Sequence, residues 1–241
     1  MSDNEFDQFI DGTLLGDAFV QKDGRYGFNH SEKQAAYFDT KVAKFVDQGI
    51  KTWTGKSKPY TSSIDGREIK PTALVQFRTT KQDRWKQLRA LWYPNDTKVV
   101  PVNFSLTPTS LAYWYMDDGS ANLRNKYVSR GVTYIGDPFI QQFRFYTDGF
   151  NADSLQHLLA QLKSLGIEGW LKERSNKDQR YIIVSKQDAR QRMKDLVMPI
   201  ISTIPSMSYK IDHPLSFHGE RLNEEDPSND GTCDSPILQE R

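Results

Sequence analysis

Two stretches of this 241-residue chain read as short apolar helices that end in a carboxylate at the same place. The first is Phe9-Ile10-Asp11-Gly12-Thr13-Leu14-Leu15-Gly16-Asp17-Ala18, and the second is Ser110-Leu111-Ala112-Tyr113-Trp114-Tyr115-Met116-Asp117-Asp118-Gly119. An acid at a helix C-terminus faces the negative end of the helix dipole, at a cost of about 0.3–1 kcal/mol where it is exposed. A chain that uses this device twice is built to set two acids side by side, and such a pair needs cations between its members. The pattern points to metal-dependent chemistry at a symmetric site.

The elements around the two stretches repeat in order. Ser2-Asp3-Asn4-Glu5 has capping-box spacing and predicts a helix from near Glu5 to about Asp17. A hairpin turning at Asp23-Gly24 follows, then a helix over Glu32–Gln48 closed by Gly49. Strand-like runs lie around Lys51–Thr54, Pro59–Ser62 and Thr72–Thr79, before a helix from about Lys81 to Trp92. In the second half, Thr107 caps a helix with Pro108 at its first position, reaching Asp117. Extended segments over Asn122–Tyr146, a helix over Asn151–Leu165, strands at Trp170–Arg174 and Arg180–Ser185, and a helix from Gln187 to Met198 stopped by Pro199 complete it. The fold class is therefore α+β, with duplicated αββαββα repeats at 1–105 and 106–218 and pseudo-two-fold symmetry.

Composition narrows the partners. The formal net charge is +1, but residues 219–241 hold seven acids against Arg221 and Arg241, so residues 1–218 carry +6. Lys51–Lys98 carries a local +7 and Lys172–Lys194 a local +5, one basic segment per half, which suits a polyanion gripped by both halves. The segment 219–241 is acidic and poor in apolar residues, and is expected to be a mobile tail. A single cysteine, Cys233, excludes a disulfide framework and a cysteine zinc site, which makes reducing intracellular conditions the default. The four histidines, His30, His157, His213 and His218, show no metal-ligand spacing. No apolar run approaches a membrane span and the acidic N-terminus is wrong for a presequence, so a soluble protein without a membrane partner is expected.

Leu106–Gly119 resembles the second signature helix of the LAGLIDADG homing endonucleases, and Leu14–Ala18 resembles the first. The resemblance is to the two-motif monomeric type and, within it, to the mitochondrial omega-intron endonuclease group. It covers roughly residues 5–215 and includes Met207-Ser208-Tyr209-Lys210. It implies two antiparallel saddle-shaped sheets on a central two-helix interface, with the last acid of each helix, Asp17 and Asp118, reaching metal ions beneath. In that register Asp117 corresponds to Gly16, and the backbone carbonyls of both become metal ligands. Hard oxygen donors suit Mg²⁺, with Mn²⁺ able to substitute. Lys98 and Lys210, late in each repeat, are implied to approach the metal site as catalytic cations. The first motif departs from the family at Ala18, where glycine is usual, and at Asp11. Gly12 is matched by bulky Tyr113, so unequal residues make the close helix contact.

The same resemblance implies that the sheets enter the DNA major groove. Lys51, Lys56, Lys58, Tyr60, Ser62, Arg67, Lys70, Thr72, Gln76 and Arg78 are the first-half candidates for phosphate and base contacts. Arg124, Lys126, Gln142, Arg144, Lys172, Arg174, Lys177 and Arg180 are those of the second half. Trp85, Trp92 and Trp114 are expected in the core. The implied function is Mg²⁺-dependent double-strand cleavage of a long, partly palindromic DNA site by a monomer, the free-standing product of an intron. The alternatives are an intron RNA maturase and a DNA-binding regulator without catalysis, and retention of both acids argues against a pure binding role.

Overall fold

The computed structural model describes residues 1–64, 67–173 and 180–221. The capping boxes form as the sequence predicts. The Glu5 amide donates to Ser2 Oγ at 3.3 Å and opens α1 (Asp3–Leu15). The Ser110 amide donates to Thr107 Oγ1 at 3.2 Å and opens α4 (Pro108–Asp118), with Pro108 where a missing N–H costs nothing. α1 is followed by β1 (Phe19–Val20), β2 (Tyr26–Ser31), a short 3-10 turn, α2 (Ala35–Asp47), β3 (Thr52–Lys56), β4 (Tyr60–Ile64), β5 (Arg67–Thr72), β6 (Leu74–Thr79) and α3 (Asp83–Trp92). α4 is followed by β7 (Gly119–Ser129), β8 (Val132–Tyr146), α5 (Ala152–Ser164), β9 (Trp170–Glu173), β10 (Arg180–Val184), α6 (Gln187–Ile201) and β11 (Gly219–Arg221).

The two halves share one topology. The first sheet runs β1-β2-β6-β3 and the second β7-β8-β10-β9, with every pair antiparallel. Register makes the correspondence residue by residue. Phe19 pairs with Gly27 as Ser120 pairs with Arg144, so His30 and Thr147 occupy equivalent places. α2 and α5 are both 13 residues long and both precede a glycine with positive φ, Gly49 and Gly166, which matches Lys41 to Leu158 and Tyr37 to Ser154.

Four expectations shift. The first half gains one strand, β5, which pairs with the expected β4 as a hairpin between its third and last sheet strands. α1 stops at Leu15, because Gly16 leaves helical space (φ −100, ψ −129), whereas α4 runs on to Asp118. Pro199 does not stop α6: buried Ile201 anchors one more half-turn, and the Ser202 amide resumes the ladder by donating to Met198 O at 2.9 Å. The second half reaches past residue 218, since Gly219–Arg221 pair with the Gly136–Tyr134 stretch of β8, where backbone groups on an open edge find partners. Residues 222–241 of the expected tail lie outside the described residues.

The core wraps the seam between α1 and α4. Ser110 to Met116 are all buried, so α4 is enclosed on every side. Phe9 and Tyr113 meet edge to face across the seam with ring centroids 4.7 Å apart. A Cβ on Gly12 would lie 2.5 Å from Ser110 O and 2.9 Å from Tyr113 Cβ, and one on Gly16 would strike Asp117 Cβ. Tyr113 thus fills the space that Gly12 vacates, the unequal contact expected from the sequence. Trp85, Trp92 and Trp114 are buried in the core. Among the described residues no helix is long and apolar enough to cross a membrane.

Because the obstruction at position 12 is backbone, Gly12→Ala should force the helices apart and cost about 1–3 kcal/mol, the range for overpacking a close-packed core. Urea denaturation checks this; a stability equal to that of the unaltered chain would show that the seam is loose.

Candidate active site

The seam sets both acids at one edge. Asp17 follows the glycine that ends α1, and its side chain keeps 40% of its surface open. Packing around it, then the Asp117 carboxylate, pushes its carboxyl up to about 6 against the pull of Lys41, Lys210 and Lys98. Asp118 is the last residue of α4. Burial, then Asp17 and Asp117, push its carboxyl up to about 7. Asp17 thus disfavours the charge on Asp118, and Asp117 disfavours it on both, the behaviour of like charges sharing one site. The structure brings Asp17 and Asp118 together in this electrostatic sense.

The two lysines reach matching carbonyls. Lys98 Nζ donates to Gly16 O at 3.1 Å and Ala18 O at 3.3 Å. Lys210 Nζ donates to Met116 O at 2.6 Å, Gly119 O at 2.8 Å and Tyr115 O at 3.3 Å. Ala18 and Gly119 are equivalent positions, so each half closes its own helix end with one ammonium. Positive charge there offsets the negative end of the dipole. Burial lowers the Lys98 ammonium to about 8, although Asp118 and Asp17 hold it up.

Asp117 takes a different course from the one implied at sequence level, where only its carbonyl mattered. Its side chain is fully buried and turns into the first half. Lys41 Nζ donates to both carboxylate oxygens at 3.0 Å, and Tyr37 Oη donates to Oδ1 at 2.8 Å. Lys41 also lies 3.0 Å from His30 Nε2, and His30 Nδ1 lies 3.5 Å from Asp17 Oδ2. Burial, then Lys41, holds the His30 imidazole down to about 3, so it is neutral at physiological pH. These partners were missed in the sequence. The signal was present in Lys41, which shares an apolar helix face with Tyr37, Phe38 and Phe45; a lysine in such a stripe needs a buried counter-charge.

Asp17, His30 and Asp117 offer ligand atoms within 4.8 Å of one another. Asp117 already has both oxygens engaged by Lys41 and Tyr37, and His30 Nε2 faces Lys41. A cation in that triangle would have to displace a buried ammonium. The Asp17–Asp118 pair is the better fit for a hard divalent cation: burial and neighbouring carboxylates hold both carboxyls up, and that of Asp17 is open to solvent.

The sheets sort the nucleic-acid candidates by register. Gln76 and Arg78 stand with Asn29 and Trp53 on the outer face of the first sheet. Gln142, Arg144 and Lys172 share the outer face of the second. Arg78 lies flat, donating to Asn29 Oδ1 at 2.9 Å and covering the Phe19 ring. Lys51 and Lys58 are exposed at the ends of β3, and Arg124 and Lys126 are exposed on β7 beyond a bulge. Lys56 stands apart, paired in register with buried Val75 and bonded to Glu32 Oε1 at 2.6 Å. Arg180 likewise sits opposite Glu173, 3.3 Å away. Tyr60, Ser62, Arg67, Lys70 and Thr72 fall on β4 and β5, where only the backbone is described; Arg174 and Lys177 lie outside the described residues.

A family model described as the LAGLIDADG DNA endonuclease family matches residues 7–193. An uncharacterized protein of Methanocaldococcus jannaschii, MJ1098, is 29% identical over 141 residues, 56% of this chain and 53% of that protein, so the chain spans about half of its length. The cytochrome b mRNA maturase bI2 of Debaryomyces hansenii is 26% identical over 217 residues, 87% of this chain and 74% of the maturase. Among solved structures, the homing endonuclease I-WcaI bound to its DNA recognition sequence superposes with a TM-score of 0.64 at 22% identity, covering 89% of this chain and 87% of that one. That likeness establishes the fold.

Two outcomes follow from the site's charges. Removing one member of a buried ion pair strands the other, so Lys41→Met should cost about 3–5 kcal/mol in urea denaturation; a loss under about 1 kcal/mol would mean that water reaches Asp117. The second outcome concerns pH. Carboxyls at about 6 and about 7 in the folded chain bind protons that the unfolded chain releases near pH 4. The share of stability that these two carboxyls contribute in a chelator should therefore fall as pH rises from about 5 to about 7.5, against an opposing rise from His30, whose imidazole is held down to about 3 in the folded chain. Asp118→Asn should remove its own part of that fall, leaving the slopes due to Asp17 and to Asp11, which burial and Asp7 push up to about 7. Thermal melts across this range test it, and an unchanged slope in the variant would contradict it.

Proposed function

The chain belongs to the LAGLIDADG DNA endonuclease family, and we propose that it is a site-specific endonuclease making Mg²⁺-dependent double-strand breaks at a long asymmetric DNA target. The observation that carries this reading is the pair of acids at matched helix ends, each made costly to ionise by burial and neighbouring carboxylates and each beside an ammonium that caps its own helix. The acids would hold the cation through their carboxylates, with the Gly16 and Asp117 backbone carbonyls completing the set. Gly16 O accepts from Lys98, and a carbonyl has a second lone pair to offer. Bound there, Mg²⁺ supplies polarisation of the phosphoryl oxygens, a more acidic attacking water and neutralisation of the leaving 3′ oxygen.

The remaining chemistry belongs to the chain. Lys98 and Lys210 fix the carbonyl ends of both helices and place positive charge beside the reacting phosphates, where a phosphorane develops negative charge. Gln76, Arg78, Gln142, Arg144 and Lys172, on the outer faces, are placed to meet base edges and phosphates. The halves carry different residues at matched positions, which suits a target whose half-sites differ. A monomer is sufficient, since both acids come from one chain.

A second reading has support of its own. The relative from D. hansenii is named an mRNA maturase and aligns along 87% of this chain, so binding of intron RNA by the same surfaces is the rival.

Incubation with a randomised duplex library and Mg²⁺, followed by sequencing of cut ends, separates the two. A defined cut motif is expected, and cleavage should be abolished in Asp17→Asn and Asp118→Asn while DNA affinity stays within about tenfold, because each change removes a metal-ligating charge and little else. Lys98→Met and Lys210→Met should cut about 10²–10³ more slowly. Tight binding of a structured intron RNA without any DNA cleavage would favour the maturase.

A further inference from the structure

The two acids have different surroundings, and the difference traces to one side chain. Asp117 crosses the seam and buries its carboxylate in the first half, whereas its counterpart Gly16 has no side chain to send the other way. Everything that receives Asp117 is likewise one-sided. Lys41 is matched by Leu158, Tyr37 by Ser154 and His30 by Thr147. Thr147 Oγ1 donates to Arg180 O at 2.6 Å and so is committed elsewhere.

The chain of contacts fixes the state of His30. An ammonium has only donors, so Lys41 Nζ at 3.0 Å from Nε2 requires that nitrogen to accept. The ring proton must then sit on Nδ1, the nitrogen that faces Asp17 Oδ2 at 3.5 Å. The Gln34 amide also reaches this ring. Phe28, Tyr37 and Phe38 pack around the imidazole with centroid separations of 5.7, 5.2 and 6.4 Å, which restrains its orientation. Orienting a ligand by a hydrogen bond from behind is how supporting residues tune metal sites, and their loss costs about 10–100-fold in affinity or activity.

We propose that His30 is a positioning residue for Asp17, locked in its Nδ1-protonated form by Lys41 and Asp117, and that it makes the Asp17 half of the site act at a different rate from the Asp118 half. This rests on the endonuclease reading above. The ring makes a direct hydrogen bond to Asp17 when the carboxylate closes the last few tenths of an ångström, as active-site contacts do on engaging substrate. Among the described residues the counterpart of His30 in the second half, Thr147, is turned to Arg180 O and gives Asp118 no such support, so the two strands of the target are cut sequentially and not in concert.

Substitutions at position 30 separate positioning from packing. Asparagine places an amide N–H where Nδ1–H stands and keeps the donor to Asp17; glutamine places its amide where Nε2 stands and keeps only the partner of Lys41. In the metal-free protein, ¹⁵N spectra of labelled histidine should show His30 as the Nδ1-protonated tautomer, with its Nδ1 resonance displaced by Asp17→Asn. An Nε2-protonated ring, or one indifferent to Asp17, overturns the proposal.

The second measurement uses a supercoiled plasmid bearing the site recovered from the library. The unaltered enzyme should pass through nicked circles cut first on the strand served by Asp17; His30→Gln should slow that strand alone, by about 10–100-fold, and so lose or reverse the order of cutting, while His30→Asn should keep it. Equal slowing of both strands, or rescue by glutamine and not by asparagine, would assign His30 to packing and overturn the proposal. If no duplex is cut at all, the endonuclease reading falls, and the spectra alone decide whether His30 positions Asp17.

Discussion

The close approach of α1 and α4 is the constraint from which the rest of this structure follows. It exists because Gly12 and Gly16 present bare backbone to Ser110, Tyr113 and Asp117. Two helices this near each other bring their C-terminal ends to one place, and the carboxylates beyond those ends inherit the proximity. The seam supplies both acids, and the first sheet reaches them through His30 on β2, 3.5 Å from Asp17 Oδ2. The second sheet meets the seam directly, Phe143 and Phe145 packing on Tyr115 and Trp114, and the first meets it through α2, where Phe28 and Phe77 pack on Phe45 and Phe45 packs on Phe6 and Phe9.

The cost of that proximity is electrostatic, and the chain meets it in two ways. At the open edge, Lys98 and Lys210 neutralise the helix ends and lower the local potential. Inside, the Asp117–Lys41 pair is held by Tyr37 and His30 with no exposed surface. A buried pair of this kind is poor value as a source of stability, because desolvating both charges offsets most of their attraction. Its retention at the heart of the seam makes sense as a means of fixing geometry at Asp17.

Much of this was legible in the sequence, and the parts that were not have physical causes. Ser2, Glu5, Thr107 and Pro108 announce their helices because capping is local chemistry, and the paired acids and lysines announce themselves by repetition. β5 was hidden because the run Thr72–Thr79 reads as one strand, although its first residue belongs to β5 and its last six to β6. Pro199 misled because a proline near a helix end is overridden when the next apolar residue, here Ile201, is buried. His30 and Lys41 escaped notice for a different reason. Their roles depend on a carboxylate 76 or more residues away along the chain, and no local pattern encodes that meeting.

The lysine caps carry a consequence for how the molecule comes to exist. Lys98 meets Gly16 across 82 residues of sequence, and Lys210 meets Met116 across 94. Closing loops of that size is among the entropically expensive steps of folding and rewards the chain only once both ends are in place. A chain that has folded its helices and hairpins but not docked these late segments holds its acids without their ammonium neighbours. The electrostatic setting of the site is completed only by the last segment of each half, so a chain that has not docked those segments carries the site's residues without their environment.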